Sequence, residues 1–307
     1  MNATFRQLRL FLALADHGSV TAAARATHVT QPTASMQLKE LASAVGLPLF
    51  EVIGRRVHLT AVGEELARSA RAMVDEWAGF AQRVDGMKGL MRGQLRVAVV
   101  STAKYFVPRL LGAFCSQYPD VDIALEVLNR DGVVQRLQGN LDDLYIMSMP
   151  PQNMDLADLV FMANPLVLLA PAGHRLAGLR HKLALADLAI ERFILRERGS
   201  GTRMAVDAHF KQHRFTPQVR LELGSNEAIK QAVAAGMGVS AISRHALGNL
   251  EAGEGVSVLQ VDGFPIDSQW HIVRLQGKRL SPIAQAFQAH LMAHAVRAGG
   301  PTEPTAK

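Results

Sequence analysis

The chain has 307 residues, 49% of them hydrophobic, a length and composition that predict a globular protein of two or three domains. The 33 Lys and Arg residues outnumber the 27 Asp and Glu residues, and the formal net charge of +6 is compatible with a polyanionic partner without requiring one. A single cysteine, Cys115, excludes an intrachain disulfide and a multi-cysteine metal site. Neither a signal peptide nor a run of 18 apolar residues is found, so we expect a cytoplasmic protein with no membrane partner.

Three helices are predicted before Gly46. Apolar residues at helical spacing indicate a first helix that stops near Gly18, and Ser19 then caps a short alanine-rich helix over roughly residues 20–27. A third helix begins after Thr30 with Pro32 in its first turn, and it buries an apolar face that consists of Ala34, Leu38, Leu41 and Val45. Two short helices joined by about four residues are the helix-turn-helix pattern.

The third helix has a second, polar face, and a predicted two-stranded hairpin follows it with Arg55 and Arg56 near the tip. A polar face alone is more often simply solvated, but the helices, the hairpin and its basic tip together favour DNA binding. Gln pairs with adenine, Ser and Thr bond to bases or phosphates, and an apolar side chain contacts the thymine methyl group. We therefore predict a surface for double-stranded DNA made of Ser19, Thr21, Thr30, Gln31, Pro32, Thr33, Ser35, Met36, Gln37, Lys39, Arg55 and Arg56.

A long amphipathic helix is predicted after its cap, Thr60. Apolar residues follow alternating steps of four and three from Leu66 to Met91, a heptad seam that includes Ala70 and Met87. A helix of about 30 residues is about 45 Å long, too long for a small domain to cover. The seam packs either on the rest of its own chain or on a second copy, and we favour dimerisation through Leu66, Met73, Trp77, Phe80 and Val84.

From Gly93 onward strands alternate with helices, which predicts an α/β architecture with parallel-rich sheets in two halves of similar size. Strands are predicted at 94–100, 121–127, 144–148, 165–170, 192–197, 219–223, 238–243 and 270–275, with helices ending at Tyr118 and spanning about 131–139, 203–213 and 225–235. The predicted domains are 1–60 for DNA binding, 61–92 for the dimerisation helix, 93–298 for the α/β part and 299–307 for a disordered Gly/Pro-rich tail.

The stretch "GSVTAAARATHVTQPTASMQLKELASAVGLPLFEVIGRRVHLTAVG" resembles the amino-terminal signature of LysR-type transcriptional regulators, and the α/β remainder is similar to theirs as well. The resemblance implies an α+β multidomain fold with a winged helix-turn-helix, a long dimerisation helix and a two-lobed, periplasmic-binding-protein-like effector domain. It also implies dimers or tetramers on a bent, approximately palindromic operator, with RNA polymerase as a further partner. Met36 departs from the family, many members of which carry a basic residue after the helix serine.

Three polar helix starts in the α/β part are candidate anion sites. They lie in "VVSTAKYFVP", "RERGSGTR" and "GSNEAIKQ", where backbone N–H groups, hydroxyls and the charges of Arg196, Arg198 and Arg203 attract anions. Ordinary helix capping accounts for each one alone, but LysR-type proteins bind inducers between their lobes at such positions. The resemblance therefore implies a small anionic or phosphorylated effector bound by Ser101, Thr102, Lys104, Asn129, Ser200, Thr202, Arg203 and Asn226.

Two further stretches narrow the resemblance. "STAKYFVPRLLGAFCSQYP" and "NLDDLYIMSMPP" look like the subgroup of the family that controls carbon-fixation (Calvin-cycle) operons, whose effectors are phosphorylated metabolites or NADPH.

Enzyme interpretations have less support. "GMGVSA" follows a helix and leads into a strand, the reverse of a dinucleotide fingerprint, and the 11 histidines show no zinc-ligand spacing. Asp142 and Asp143 point to opposite faces of a strand, unlike a catalytic pair. We expect no catalytic residue, no metal and no cofactor other than a small-molecule effector. The alternatives are a DNA-binding adaptor without a ligand and an α/β transferase with a nucleic-acid-binding extension.

Overall fold

The structure, a computed structural model, describes residues 2–54, 56–87, 91–179, 181–248 and 255–297. The chain divides into an amino-terminal unit, residues 1–90 with 139–141, and an α/β unit, residues 91–138 and 142–307. Among the described residues, no helix is long and apolar enough to cross a membrane, and no group of three or more His, Cys, Asp and Glu side chains is placed to hold a metal ion. Arg55 and the predicted tail at 299–307 lie outside the described residues.

The amino-terminal unit consists of helices and one hairpin. Helices α1 (Phe5–His17), α2 (Val20–Ala26) and α3 (Gln31–Val45) precede strands β1 (Phe50–Ile53) and β2 (Arg56–Leu59), and α4 (Ala61–Met87) follows them. The predicted caps are confirmed, since Ser19, Thr30 and Thr60 each accept a hydrogen bond from a backbone N–H in the first turn of the helix that follows.

The core of this unit lies where α1, α2 and α3 meet. Phe11 of α1 is fully buried, and Ala34, Leu38 and Leu41, the predicted apolar face of α3, are buried in the same cluster. Strands β1 and β2 pair in antiparallel register directly after α3. The predicted helix-turn-helix with its hairpin is therefore confirmed as a fold.

The heptad seam of α4 divides between two environments. Leu66 and Ala70 pack against the core of the amino-terminal unit. Farther along the helix, Met73, Trp77 and Phe80 are 55%, 62% and 49% exposed. The second half of the seam therefore presents large apolar side chains to solvent.

The first lobe of the α/β unit is built on a five-stranded sheet. Its order is β4 (Val121–Leu128), β3 (Gly93–Val100), β5 (Leu144–Met147), β12 (Gln269–Leu275) and β6 (Leu156–Ala163). Strand β3 is parallel to β4 and β5, whereas β12 is antiparallel to both of its neighbours. Helices α5 (Val107–Gln117), α6 (Arg130–Gln138) and α9 (Pro282–Arg297) contribute their buried apolar residues to one core with this sheet.

Met91 belongs to this lobe and not to the heptad seam. It packs against the core of the first lobe just before β3 begins. The prediction that the seam continues to Met91 was wrong, because the partly buried side chain at this point packs against the core of the first lobe.

The second lobe is inserted between β6 and β12. One antiparallel sheet has the order β10 (Ser240–Ser243), β7 (Leu166–Pro171), β11 (Val256–Leu259), and a parallel pair joins β8 (Arg192–Arg196) to β9 (Gln218–Leu223). Helices α7 (Gly201–Gln212) and α8 (Asn226–Ala234) flank them. The chain crosses between the lobes twice, at adjacent points where the N–H of Asn164 donates to the carbonyl of Ser268 at 2.8 Å.

Most of the predicted α/β elements agree with the structure to within two residues, but β6, β11 and α9 were not predicted. Helix α9 reads "PIAQAFQAHLMAHAVR", in which alanines and histidines fill the turns between the apolar residues and leave little contrast between faces. Strand β6 mixes buried and exposed positions without strict alternation. These elements are stabilised by the neighbours they pack on, which a local pattern does not record.

Gly63, in the first turn of α4, is a position of close backbone approach. A Cβ atom there would lie 1.9 Å from the carbonyl oxygen of Leu49, and that oxygen already accepts the N–H of Thr60 at 3.1 Å. We expect Gly63→Ala to destabilise the amino-terminal unit by about 1–3 kcal/mol, because the backbone must shift to admit the methyl group. Hydrogen exchange of α1 to α3 in increasing urea measures this change.

Gly86→Ala is the matched control in the same helix, since a Cβ atom at Gly86 meets nothing within 4 Å. This substitution should leave stability unchanged or slightly increased. Equal exchange rates in the two variants would contradict the close approach at Gly63.

Candidate functional site

The predicted DNA-reading face of α3 is exposed and lies mainly at the amino-terminal end of the helix. Met36 is 55% exposed, and Thr33 and Gln37 are partly buried beside it. The side chains order one another, because the hydroxyls of Thr30 and Thr33 lie 2.8 Å apart and Gln31 Nε2 donates to Ser35 Oγ at 3.2 Å. The exposed members of this face are Thr30, Gln31, Pro32, Ser35, Met36 and Lys39.

The remaining predicted DNA contacts lie on α2 and the hairpin. The Ser19 hydroxyl accepts the N–H of Ala22 at 3.5 Å, and Thr21 is exposed in the same turn. Arg56 is exposed at the start of β2, next to the left-handed turn at Gly54, and Arg55 lies outside the described residues. Exposed hydroxyl, amide and cationic groups therefore occur on α2, α3 and the hairpin of one unit.

An exposed aromatic patch, formed by Phe5, Trp77 and Phe80, lies on α1 and α4. The ring centroids of Phe5 and Trp77 are 6.1 Å apart, and those of Trp77 and Phe80 are 5.7 Å apart. Val84, the last predicted dimerisation residue, is partly buried one turn farther on. Adjacent exposed aromatic side chains are typical of a surface that contacts another protein.

Buried polar residues concentrate between the two lobes of the α/β unit. Of the eleven buried polar or charged residues in the described part of the chain, six lie here: Thr102, Ser148, Arg196, Ser200, Thr202 and Asn226. They lie at the carboxyl ends of β3, β5 and β8 and at the starts of α7 and α8. This interlobe crevice is where open α/β sheets place their ligands.

Arg196 is the central residue of the interlobe crevice, with 2% of its side chain exposed. Its Nη1 atom donates to Asn226 Oδ1 at 2.9 Å and to Thr102 Oγ1 at 3.5 Å, and its Nη2 atom donates to Ser101 Oγ at 3.3 Å. Asn226 Nδ2 also donates to Thr102 Oγ1 at 3.2 Å. Ser101 and Thr102 belong to the first lobe, so the guanidinium joins the two lobes directly.

A second contact between the lobes lies beside Arg196. Tyr105 donates its hydroxyl to Glu227 Oε1 at 2.6 Å, and Lys230 pairs with the other carboxylate oxygen at 3.0 Å. Burial and the neighbouring Glu227 raise the pKa of Tyr105 far above its usual range. Burial alone would raise the pKa of Glu227, but the Tyr105 and Lys230 hydrogen bonds outweigh it and lower that pKa. The pair therefore stays as a neutral phenol and a carboxylate near neutral pH.

The start of α7, which carries the buried residues Ser200 and Thr202, contacts the first lobe, because the N–H of Asp131 donates to the carbonyl of Gly199 at 3.3 Å. Among the described residues, no side chain caps this helix, so its first N–H groups are available to an anion. Gly201 lies so close to Ser148 that an added Cβ atom would be 3.0 Å from the Ser148 hydroxyl. Arg130 approaches from the start of α6, where its Nε donates to the carbonyl of Met149 at 2.6 Å.

Three of the predicted effector residues have other contacts in this structure. Asn129 caps α6 by accepting the N–H of Gly132 at 2.9 Å, and the Lys104 ammonium lies 5.2 Å from the centre of the Tyr105 ring. Arg203 pairs with Asp207 and with Glu222 at 2.8 and 2.9 Å. The structure therefore joins Ser101, Thr102 and Asn226 through Arg196. Ser200 and Thr202 are buried at the start of α7, and Arg203 donates to the carbonyl of Arg196 at 2.8 Å.

The central role of Arg196 was not predicted, although its charge was noted. Arg130 and Ser148 were not proposed either. A sequence signal for Arg196 does exist, because the residue ends the buried strand "RFILR" and a cation at the carboxyl end of such a strand points toward the ligand edge of the sheet.

Comparison with known proteins identifies both units. Residues 5–64 match the family described as "Bacterial regulatory helix-turn-helix protein, lysR family", and residues 88–296 match the family described as "LysR substrate binding domain". The chain is 44% identical over 294 residues to the HTH-type transcriptional activator CmpR of Synechocystis sp., covering 95% of this chain and 96% of that protein. It is 42% identical over 292 residues to the RuBisCO operon transcriptional regulator of Acidithiobacillus ferrooxidans, covering 95% and 94%.

A solved structure is similar to the α/β unit. The regulatory domain of CcmR from Synechocystis PCC6803, in complex with 2-PG (2-phosphoglycolate), is 48% identical with a TM-score of 0.65. The match covers 66% of this chain and 98% of that domain.

Asn226 tests whether the polar contacts of the crevice stabilise the α/β unit. Asn226→Ala removes an acceptor from a buried guanidinium and a donor from the Thr102 hydroxyl, and a buried polar group without a partner costs about 1–3 kcal/mol. We therefore expect a lower melting temperature for the α/β unit, measured by calorimetry. Asn153→Ala, an exposed asparagine in the same unit, is the control; equal melting temperatures for the two variants would show that the crevice contacts contribute little.

Proposed function

The chain belongs to the LysR family of bacterial transcriptional regulators, and we propose that it controls carbon-fixation genes in response to a small phosphorylated carboxylate such as 2-phosphoglycolate. The observation that carries this proposal is the buried polar crevice in a domain 48% identical to one solved with 2-PG. Relatives that regulate the RuBisCO operon support the choice of genes.

The chemistry of the interlobe crevice suits a ligand with two anionic ends. Hydroxyls of Ser101, Thr102 and Thr202 donate to phosphate or carboxylate oxygens, and the uncapped start of α7 offers backbone N–H groups together with its helix dipole. Arg196 and Arg130 supply positive charge from opposite lobes. We propose that these groups bind the effector and that they have no catalytic role.

On the DNA side, we propose that α3 enters the major groove with its amino-terminal residues against the base edges. Arg56, Lys39 and the hydroxyls of α2 would then contact phosphates, which makes affinity strongly dependent on salt. Met36 would contact a thymine methyl group. A regulator of this kind acts on promoters in the cytoplasm together with RNA polymerase.

The test of the proposed function combines operator mapping with effector binding. Sequencing of the DNA that the protein binds in cells should recover promoters of carbon-fixation genes, and 2-phosphoglycolate should change the footprint of the purified protein on those promoters. Thr202→Val should weaken the binding of 2-phosphoglycolate about tenfold or more, because a hydroxyl that donates to a charged ligand is lost.

Ser116→Ala is the control, since that hydroxyl donates to the carbonyl of Gly112 within α5. Its response to 2-phosphoglycolate should match that of the wild type. Bound promoters unrelated to carbon metabolism would refute the assigned genes, and an unchanged footprint with 2-phosphoglycolate would refute the assigned effector.

We further propose that two copies pair through the exposed half of the α4 seam and the aromatic patch. Phe80→Glu places a charge among aromatic side chains that a partner must bury, so we expect the variant to be monomeric by light scattering. Ala72→Glu introduces the same charge at an exposed position of α4 away from the seam and should stay dimeric. A dimeric Phe80→Glu protein would rule out pairing at this position.

A further inference from the structure

Arg196 has no donor left for a ligand in this structure. A guanidinium carries five N–H donors. In addition to its bonds to Ser101, Thr102 and Asn226, Arg196 donates from Nε to Glu197 Oε2 at 2.8 Å and from Nη2 to Glu197 Oε1 at 3.0 Å. These five hydrogen bonds account for every N–H donor of the guanidinium, and an anion that binds Arg196 must replace one of these partners.

Glu197 is the partner that an anion can replace. Thr102 and Asn226 are buried in the crevice, whereas the Glu197 side chain is 25% exposed and has solvent beside it. Ser101 is also partly exposed, but its neutral hydroxyl does not compete with an anion for the charge of the guanidinium. The Glu197 backbone is fixed, because its N–H donates to Leu223 and its carbonyl accepts from Ser200. Only the side chain is free to turn away, and it can do so without moving β8 or α7.

Electrostatics also favours the replacement of Glu197 by an incoming anion at Arg196. A buried guanidinium needs an anion, and in the described part of the chain Glu197 is the carboxylate that contacts it. A phosphate brought to the same guanidinium would lie next to that carboxylate, and two negative charges at such a distance repel. The arrival of one anion therefore favours the departure of the other.

We propose that Glu197 is an internal counter-ion that the anionic group of the effector displaces from Arg196. This inference rests on the proposed function, because it describes how the same crevice admits its ligand. Glu197 then sets the effector concentration at which the crevice fills. Since Arg196 also bonds to Ser101 and Thr102 of the first lobe, the displacing anion would lie beside the hydrogen bonds that join the lobes.

The test measures ligand affinity of the full-length protein by calorimetry with two probes, 2-phosphoglycolate and inorganic phosphate. Glu197→Gln should lower the Kd for both by about three- to tenfold, because the competing charge is removed. Glu197→Asp keeps the charge but is too short to hold both bonds, so it should also bind more tightly than the wild type. A purely long-range charge effect would leave Glu197→Asp at the wild-type affinity.

Glu222→Gln is the matched control, a carboxylate on β9 that pairs with Arg203 and is 40% exposed. Its Kd should equal that of the wild type. If 2-phosphoglycolate binds but neither Glu197 variant binds more tightly, the exchange is refuted and the proposed effector stands. If only inorganic phosphate binds, and more tightly to both Glu197 variants, the exchange stands and the proposed effector fails. Binding of neither probe to any variant refutes both.

Discussion

The guanidinium of Arg196 is buried where the lobes of the α/β unit meet, and an uncompensated charge at that depth would cost several kcal/mol. The chain meets this requirement with partners from both lobes, the hydroxyls of Ser101 and Thr102 on one side and Asn226 and Glu197 on the other. Satisfying one cation and holding the lobes together at the crevice are therefore the same condition. A ligand that replaced Ser101 or Thr102 would break the contact between the lobes, whereas one that replaced Glu197 would leave that contact in place and add a charge beside it.

The uncharged polar groups around this cation lie where strands end and helices begin. Parallel strands end at one edge of each sheet, and the helices that follow them start there with free N–H groups. Serine, threonine and asparagine are favoured at such starts, so helix capping and anion binding draw on the same residue types. What distinguishes the crevice from ordinary capping is burial: Ser200 and Thr202 are 3% and 4% exposed, although no side chain among the described residues caps α7.

The sequence predicted those structural features that depend on residues close to one another along the chain. Capping by Ser19, Thr30 and Thr60, the buried face of α3 and the hairpin all follow from residues within about one helical turn of each other. The bonds of Arg196 to Ser101 and Thr102 span more than ninety positions and depend on how the lobes meet, which no local pattern records. The same limit explains Met91, whose spacing fits a heptad but whose side chain packs against the core of the first lobe.

The exposed aromatic patch bears on how tightly the amino-terminal unit would bind DNA. One α3 helix reaches only the few base pairs of a half-site, and a single small module buries a limited area on DNA. Joining two such modules makes the second contact intramolecular, which raises affinity without any new contact to a base. Phe5, Trp77 and Phe80 lie in the same unit as α3, so under the proposed pairing a partner that covers them would contact the unit that carries the predicted DNA-reading face. Under the proposed pairing, an apolar surface that would be a liability on a monomer has a physical reason to persist, because burying it would couple the two half-sites.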